Sequence, residues 1–353
     1  MSSANENRFP ILSLSSIPSE CIVKQLSCID VFLFSTISKG CYDMMKDGLR
    51  STPNRRSLII DVRGDKLQLK LKTDSSNPNS RTLEWHFNGA WNRRRRWNVK
   101  LHTETPSKPL VFREKSKGRY VTASDSAEEV IQLAEHIGNL FRAFTECISI
   151  STENCRFLPA IQRVSVLQQA KRMFIDDGIV SHDTMLQVLT GFKPESLSIK
   201  CDVEPNFQLQ FNGPILTETL NLFKGSWFTA PLFHTFNGNY LFLKNCVLTN
   251  ADLNAFLLNW KTKTSHHTKY QRLWLNQVCN RGVGFNQRQW DDQKWDLAKI
   301  TDGLEDIRDV SPFSIWMGND MYKRQTDGMT LSIEFKTVRF KTTVTITFYY
   351  SSN

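Results

Sequence analysis

Between Ile17 and Leu49 apolar side chains return at every third or fourth position; from Leu58 onward they begin to return at every second one. The first rhythm is that of helices with one buried face and the second that of strands, so the texture of the chain changes near residue 50. Residues 1–8 are polar and expected to be disordered. From Ile17 a first helix is expected, with Pro18 in its opening turn, Ser16 or Ser19 as cap, and Cys21, Ile22 and Leu26 at helical spacing. Asp30 can cap a second helix with Val31, Phe34 and Ile37 or Ser38 on one stripe, and a third carries Cys41, Met44, Met45 and Leu49. Three short helices in about 40 residues hold little core of their own.

The stretch SLIIDVRGDKLQLKLK from Ser57 alternates as two strands about a turn at Gly64-Asp65, and TLEWHFNGAWNRRRRWNVKLHTE from Thr82 reads as further strands. A helix is expected from Ser124 or Ser126, with Glu128 and Glu129 in its first turn and Val130, Leu133, Ile137 and Leu140 on its buried face. Further helices are expected near 159–175 and 181–190. From about 197, SLSIKCD, NFQLQFN, NYLFLKNCVLTN and RLWLNQV each set apolar residues two apart. In the third, Leu241, Leu243, Cys246 and Leu248 follow a leucine-rich-repeat strand and bend. A helix capped by Thr249 or Asn250 then buries Leu253, Phe256, Leu257 and Trp260. The starts at 197, 241 and 273 are unevenly spaced, so any repeat is irregular. TVRFKTTVTITFYY near the end reads as a strand.

The expected fold class is therefore α+β or α/β: a small N-terminal helical module over 9–50, then a mixed strand–helix domain over 51–353. Its C-terminal part, about 195–335, is leucine-rich-repeat-like. At 353 residues, 40% of them hydrophobic and 23% charged, the composition is that of an ordinary globular protein. The net charge of +10 is uneven. Residues 1–50 balance Arg8, Lys24, Lys39, Lys46 and Arg50 against Glu6, Glu20, Asp30, Asp43 and Asp47, so the whole excess lies beyond them.

Eight cysteines occur without C-x-x-C spacing, and no N-x-S/T sequon is present. Reduced core cysteines and an intracellular location, cytoplasmic or nuclear, are expected. The N-terminal apolar residues are interrupted by Pro10, Pro18, Glu20, Lys24, Gln25 and Asp30, which argues against a secretory signal, and no apolar run is long enough to span a membrane.

Candidate chemistry is sparse. WNRRRRW places Arg93, Arg94, Arg95 and Arg96 between tryptophans, a pattern that can grip phosphates and stack on bases. A solvated sheet edge with arginines over tryptophan faces accounts for it more simply. No recognition helix or finger spacing accompanies the run, so a nucleic-acid partner is not the expectation. His266-His267 point apart on any regular element and lack further ligands, GVGF from Gly282 lacks the third glycine of a dinucleotide loop, and FKGS at 223–226 lacks the upstream glycine of a phosphate loop. No metal site, cofactor or catalytic constellation is expected.

Phe9, Pro10, Leu12 and Leu14 open a segment that continues through Ile22-Val23 and Leu26 to Ser38-Lys39. This order resembles the F-box of nematode F-box proteins, with two departures: Ser15 stands where the pattern has proline, and Ser27-Cys28 where it has an acidic–proline pair. The remainder resembles the type-2 F-box-associated domain. SWFTAPLF at 226–233, NCVLTNADLNAFLLNW at 245–260, YQRLWL and DMYKRQTDGMTLSI at 320–333 carry that likeness, and the second segment aligns Asp252, Leu253, Asn254, Phe256 and Trp260 together.

The resemblance implies a non-catalytic substrate adaptor of a Skp–cullin–F-box ubiquitin ligase. The helices would dock a Skp-family adaptor that links to the cullin scaffold, and the C-terminal domain would capture a protein substrate. Leu14, Ser15, Ile22, Val23, Leu26, Ser38 and Lys39 are the implied docking positions. A basic nucleic-acid-binding protein using Arg93–Arg96 is the alternative. An F-box relic that no longer binds its adaptor, suggested by Ser15, is another.

Overall fold

The computed structural model of the chain describes residues 16–50, 56–64, 66–73, 82–87, 97–99, 101–103, 110–116, 119–122, 126–204, 214–236, 238–262, 272–278, 295–308, 320–323, 330–338 and 341–349. Among them ten α-helices and seventeen strands make a mixed α/β protein. No described helix is long and apolar enough to cross a membrane. The contacts divide the chain into two compact units, Met1–Met173 and Phe174–Asn353. The sequence pattern sets its boundary after residue 50; the contact division lies elsewhere because the N-terminal helices bury their inner faces on other elements of the first unit.

The first unit begins with α1 (Ser16–Gln25), α2 (Cys28–Ser35) and α3 (Lys39–Gly48). Strands β1 (Ser57–Arg63), β2 (Lys66–Lys72), β3 (Leu83–Phe87), β4 (Trp97–Val99), β5 (Leu110–Ser116) and β6 (Arg119–Thr122) follow, then α4 (Ala127–Phe141) and β7 (Phe144–Ser151). Their order across the sheet is β7-β1-β2-β3-β6-β5-β4. β1 and β2 form the expected hairpin, turning at Gly64, whose φ of 51° suits a residue without Cβ. β7 returns parallel to β1 through the α4 crossover. Leu58, Ile60 and Val62 stand opposite Leu71, Leu69 and Leu67, all buried, while the alternate positions of the pair other than Ile59 are polar, with Lys70 and Glu84 paired at 3.3 Å. Val130, Leu133, Ile137 and Leu140 are buried along α4 as their spacing requires. A Cβ at Gly138 would lie 2.8 Å from Val166 and 3.3 Å from Leu58, so the missing side chain is what lets α4 approach β1 so closely.

The helix expected over 159–175 is not continuous. It is α5 (Leu158–Arg163), α6 (Ser165–Gln168) and then β8 (Arg172–Asp176). Val164 adopts an extended conformation between the two short helices, and Met173 and Ile175 alternate with Phe174 as buried strand residues.

The second unit contains β9 (Ile179–Val180), α7 (His182–Gly191), β10 (Ser196–Ile199), β11 (Asp202–Val203), β12 (Thr219–Leu222), α8 (Ala230–Thr235) and β13 (Tyr240–Lys244). It continues with α9 (Asn250–Thr262), β14 (Arg272–Val278), α10 (Leu297–Ile300), β15 (Asp320–Lys323), β16 (Thr330–Val338) and β17 (Lys341–Tyr349). β10, β12, β13 and β14 are successive parallel neighbours, followed by antiparallel β17, β16 and β15. The single tail strand expected from TVRFKTTVTITFYY is thus the end of β16 and the whole of β17, paired as a hairpin.

Register puts Leu220, Leu241 and Leu273 in one row and Leu222, Leu243 and Leu275 in the next, all buried. The rows between them carry Asn221, Phe242 and Trp274. α8 and α9 connect adjacent parallel strands taken in one direction, so right-handed crossovers put both on the same side of the sheet. Phe233 and Phe256, one from each helix, meet with centroids 4.8 Å apart.

Candidate functional site

The N-terminal helices have an inner and an outer side. α2 is fixed at its start by a capping box: the Asp30 N–H donates to Ser27 Oγ at 3.2 Å and the Ser27 N–H donates to Asp30 Oδ2 at 3.3 Å. Such a cap stabilises a short helix by about 1 kcal/mol. Its buried residues are Val31, Phe32 and Ser35, a correction to the expected stripe of Val31, Phe34 and Ile37 or Ser38. Phe34 is half-buried and Ile37 is 63% exposed.

The difference comes from Phe32, which enters an aromatic cluster built by strands far along the chain. Its ring meets Trp85 edge-on at 5.2 Å and Phe112 at 6.5 Å, with Tyr120 at 6.3 Å and His136 at 6.1 Å. Burying one such ring contributes about 2–3 kcal/mol.

α3 is capped by Ser38, whose Oγ accepts the Cys41 N–H at 3.1 Å. It buries Cys41, Tyr42, Met45 and Gly48, with Leu49 buried just beyond; of the expected set, Met44 is half-buried instead. Lys39 pairs with Asp43 at 2.9 Å, and its ammonium lies 4.6 Å from the Tyr42 ring centroid. Burial, then the nearby Asp43 and Glu135, push the Tyr42 phenol up to about 12. Ser38 and Lys39 are therefore engaged within α3 itself.

On α1, Val23 is buried and faces Gly48 of α3: a Cβ there would stand 2.7 Å from Val23. Val23 accordingly belongs to the inner side. Ile22 and Leu26 are half-buried, and Cys21, expected on the apolar face, is exposed. Ile29 and Leu33 of α2 are also half-buried. Ile22 of α1 with Leu26 in the turn after it, and Ile29 and Leu33 of α2 with Ile37 in the turn after it, each step by four residues, giving two short apolar rows outside the buried set. Sequence reading missed Ile29 and Leu33 and put Ile37 on the buried stripe, because Val31, Phe32 and Phe34 are interleaved with them and nothing within the segment ranks one apolar set above the other. Leu14 and Ser15 lie outside the described residues, as do the stretch 1–8, Arg93–Arg96, NFQLQFN, His266-His267 and GVGF.

The family-like segment of the second unit is built into that unit's core. Leu241, Leu243, Cys246, Leu248, Leu253, Phe256 and Trp260 are all buried. Asn245 makes the bend at φ 59°, and burial pushes the Cys246 thiol up to about 12. Asp252 closes a capping box: its Oδ2 accepts the Thr249 N–H at 2.7 Å and its own N–H donates to Thr249 Oγ1 at 3.2 Å. Asn254 Nδ2 donates to the carbonyls of Ile300 at 3.0 Å and Asp302 at 2.8 Å, and Trp295 Nε1 donates to the Leu248 carbonyl at 3.1 Å. These residues hold α9 and α10 together. No family model matches the chain, and no curated protein and no solved structure matches it.

Proposed function

We propose that the chain is a non-catalytic substrate-recognition adaptor of a Skp–cullin–F-box ubiquitin ligase. The single observation that carries this reading is the incompletely buried apolar set of Ile22, Leu26, Ile29, Leu33 and Ile37, on or just past two short helices whose inner faces are anchored elsewhere. An apolar set of that kind gains stability by entering a partner's groove. The F-box resemblance names the partner as a Skp-family adaptor, which reaches the cullin. Ubiquitin transfer belongs to other subunits, and this chain contributes position: it holds a protein substrate at a set distance from them.

Co-purification with a Skp-family adaptor tests the proposal. Ile22→Asp and Leu26→Asp, each at a half-buried position, should remove binding while leaving the far-ultraviolet circular dichroism unchanged. Adaptor binding that survives both changes would sink the reading.

A further inference from the structure

The sheet of the second unit has two unlike faces. One carries the buried leucine rows. On the other, Phe223, Phe242 and Trp274 come from neighbouring strands and form a continuous aromatic band. Phe242 and Trp274 stack at 4.2 Å between centroids and 5° between planes, and Phe223 meets Phe242 at 5.4 Å. All three are half-buried. Neighbouring strands lie about 4.8 Å apart, so the band runs roughly 10 Å across them.

The band is rimmed by cations. The Lys200 ammonium lies 5.9 Å from the Phe223 centroid and 3.0 Å from Asp176. Lys244 follows Phe242 by two residues on β13, Arg272 precedes Trp274 by two on β14, and both are exposed. The positions of this face on β10, β12, β13 and β14, taken from the register, include no Asp or Glu. Asp176 of β8 is held by Lys200, and Glu334 stands two strands beyond Trp274 on β16, so the charges on the band's own strands are the positive Lys244 and Arg272. Such a surface complements a ligand of the opposite sign that also has apolar side chains.

We propose that this face captures an extended acidic segment of a protein partner, with an aromatic or long aliphatic side chain on the Phe223–Phe242–Trp274 band and carboxylates against Lys244 and Arg272. The inference rests on the adaptor reading and deepens it, because it gives the surface and the chemical class of the captured substrate. A protein segment is favoured over single-stranded nucleic acid by the stack itself. Phe242 and Trp274 each turn one π-face to the other, whereas a base-binding platform needs those faces open.

The test is selection from a phage-displayed random dodecapeptide library on the immobilised full chain. Fluorescence anisotropy then measures the best peptide on the wild type, Trp274→Ala and Lys244→Glu. The expected result is enrichment of peptides rich in Asp and Glu around an aromatic or long aliphatic residue, with affinity lowered at least tenfold in both variants. Lys244 is exposed, so Lys244→Glu keeps the test meaningful even if Trp274→Ala fails to fold. Enrichment of neutral or basic peptides, enrichment of none, or affinity that survives Lys244→Glu overturns the proposal. So does a twelve-nucleotide single-stranded RNA that binds more tightly than any peptide and is lost in Lys244→Glu. Skp-family adaptor binding, measured on the same proteins, is expected to be unchanged by Lys244→Glu. A chain that binds acidic peptide through this face but no adaptor refutes the ligase reading alone, and one that binds adaptor but no acidic peptide refutes the capture face alone.

Discussion

Ser35 of α2 and His136 of α4 meet at 3.0 Å between Oγ and Nε2, both fully buried. The other ring nitrogen, Nδ1, accepts the His102 backbone N–H at 2.9 Å, so the proton sits on Nε2 and is donated to Ser35. Ser35 Oγ in turn donates to the Phe32 carbonyl at 2.6 Å. Burial, followed by the charges of His102 and Lys39, holds the His136 imidazole down at about 3, far below the ordinary histidine value. The unfolded chain therefore binds a proton at this residue that the folded chain refuses. Its contribution is complete above about pH 6.5 and is lost as pH falls toward 3, at up to about 1.4 kcal/mol per pH unit. Urea midpoints measured at pH 7 and pH 5 should fall less in His136→Gln than in the wild type, and equal falls would count against this account.

Gly48→Ala puts a methyl group 2.7 Å from Val23, so α1 and α3 must separate. A loss of about 1–3 kcal/mol in urea unfolding is expected. Val23→Gly, which removes the Cβ that stands at that distance together with the Cγ atoms, should cost less in the Gly48→Ala protein than in the wild type, since the two positions share one contact. Additive losses in the double variant would show that the contact is not the cause.

Asn254→Ala leaves the carbonyls of Ile300 and Asp302 without their donor and should cost about 1–3 kcal/mol. Thermal unfolding reads the loss. Adaptor binding should be unaffected, and a variant that loses adaptor at full stability would assign Asn254 a role in docking.

Thiol accessibility should follow burial. Among the described cysteines, Cys21 is exposed, whereas burial raises the Cys155 thiol to about 11 and the Cys246 thiol to about 12. Brief alkylation of the native protein at pH 8, mapped by mass spectrometry, should mark Cys21 and spare Cys155 and Cys246. Early labelling of Cys246 would mean that the bend before α9 opens readily.

Ser15 supplies a test drawn from the resemblance alone. If the chain is a working adaptor, its affinity for a Skp-family protein should lie within a few-fold of that of Ser15→Pro. A gain of a hundredfold or more on introducing the proline would favour the relic reading.

Local periodicity made much of this fold legible in advance. The β1–β2 hairpin, α4 and the segment from Leu241 to Trp260 each satisfy their pattern within a dozen or so neighbouring residues. Failures came where a distant element decided the outcome. Val31, Phe32 and Ser35 turned inward because Trp85, Phe112 and Tyr120 offered Phe32 an aromatic cavity, and nothing within α2 announces that cavity. Thr219–Leu222 is too short to stand out as a strand, yet it completes the parallel ladder between β10 and β13. The stacked Phe242–Trp274 pair was equally hidden, since two residues 32 positions apart become neighbours only once β13 and β14 are in register.

Phe32 also determines what can be detached. A fragment ending at Arg50 would keep α1, α2 and α3 but not Trp85, Phe112, Tyr120 or His136, leaving a phenylalanine and a buried serine facing water. The N-terminal helices cannot be transplanted onto another protein as a portable tag. In the intact chain the same side chain works as a keystone, so a pull on the outer helices is passed directly to the sheet behind them.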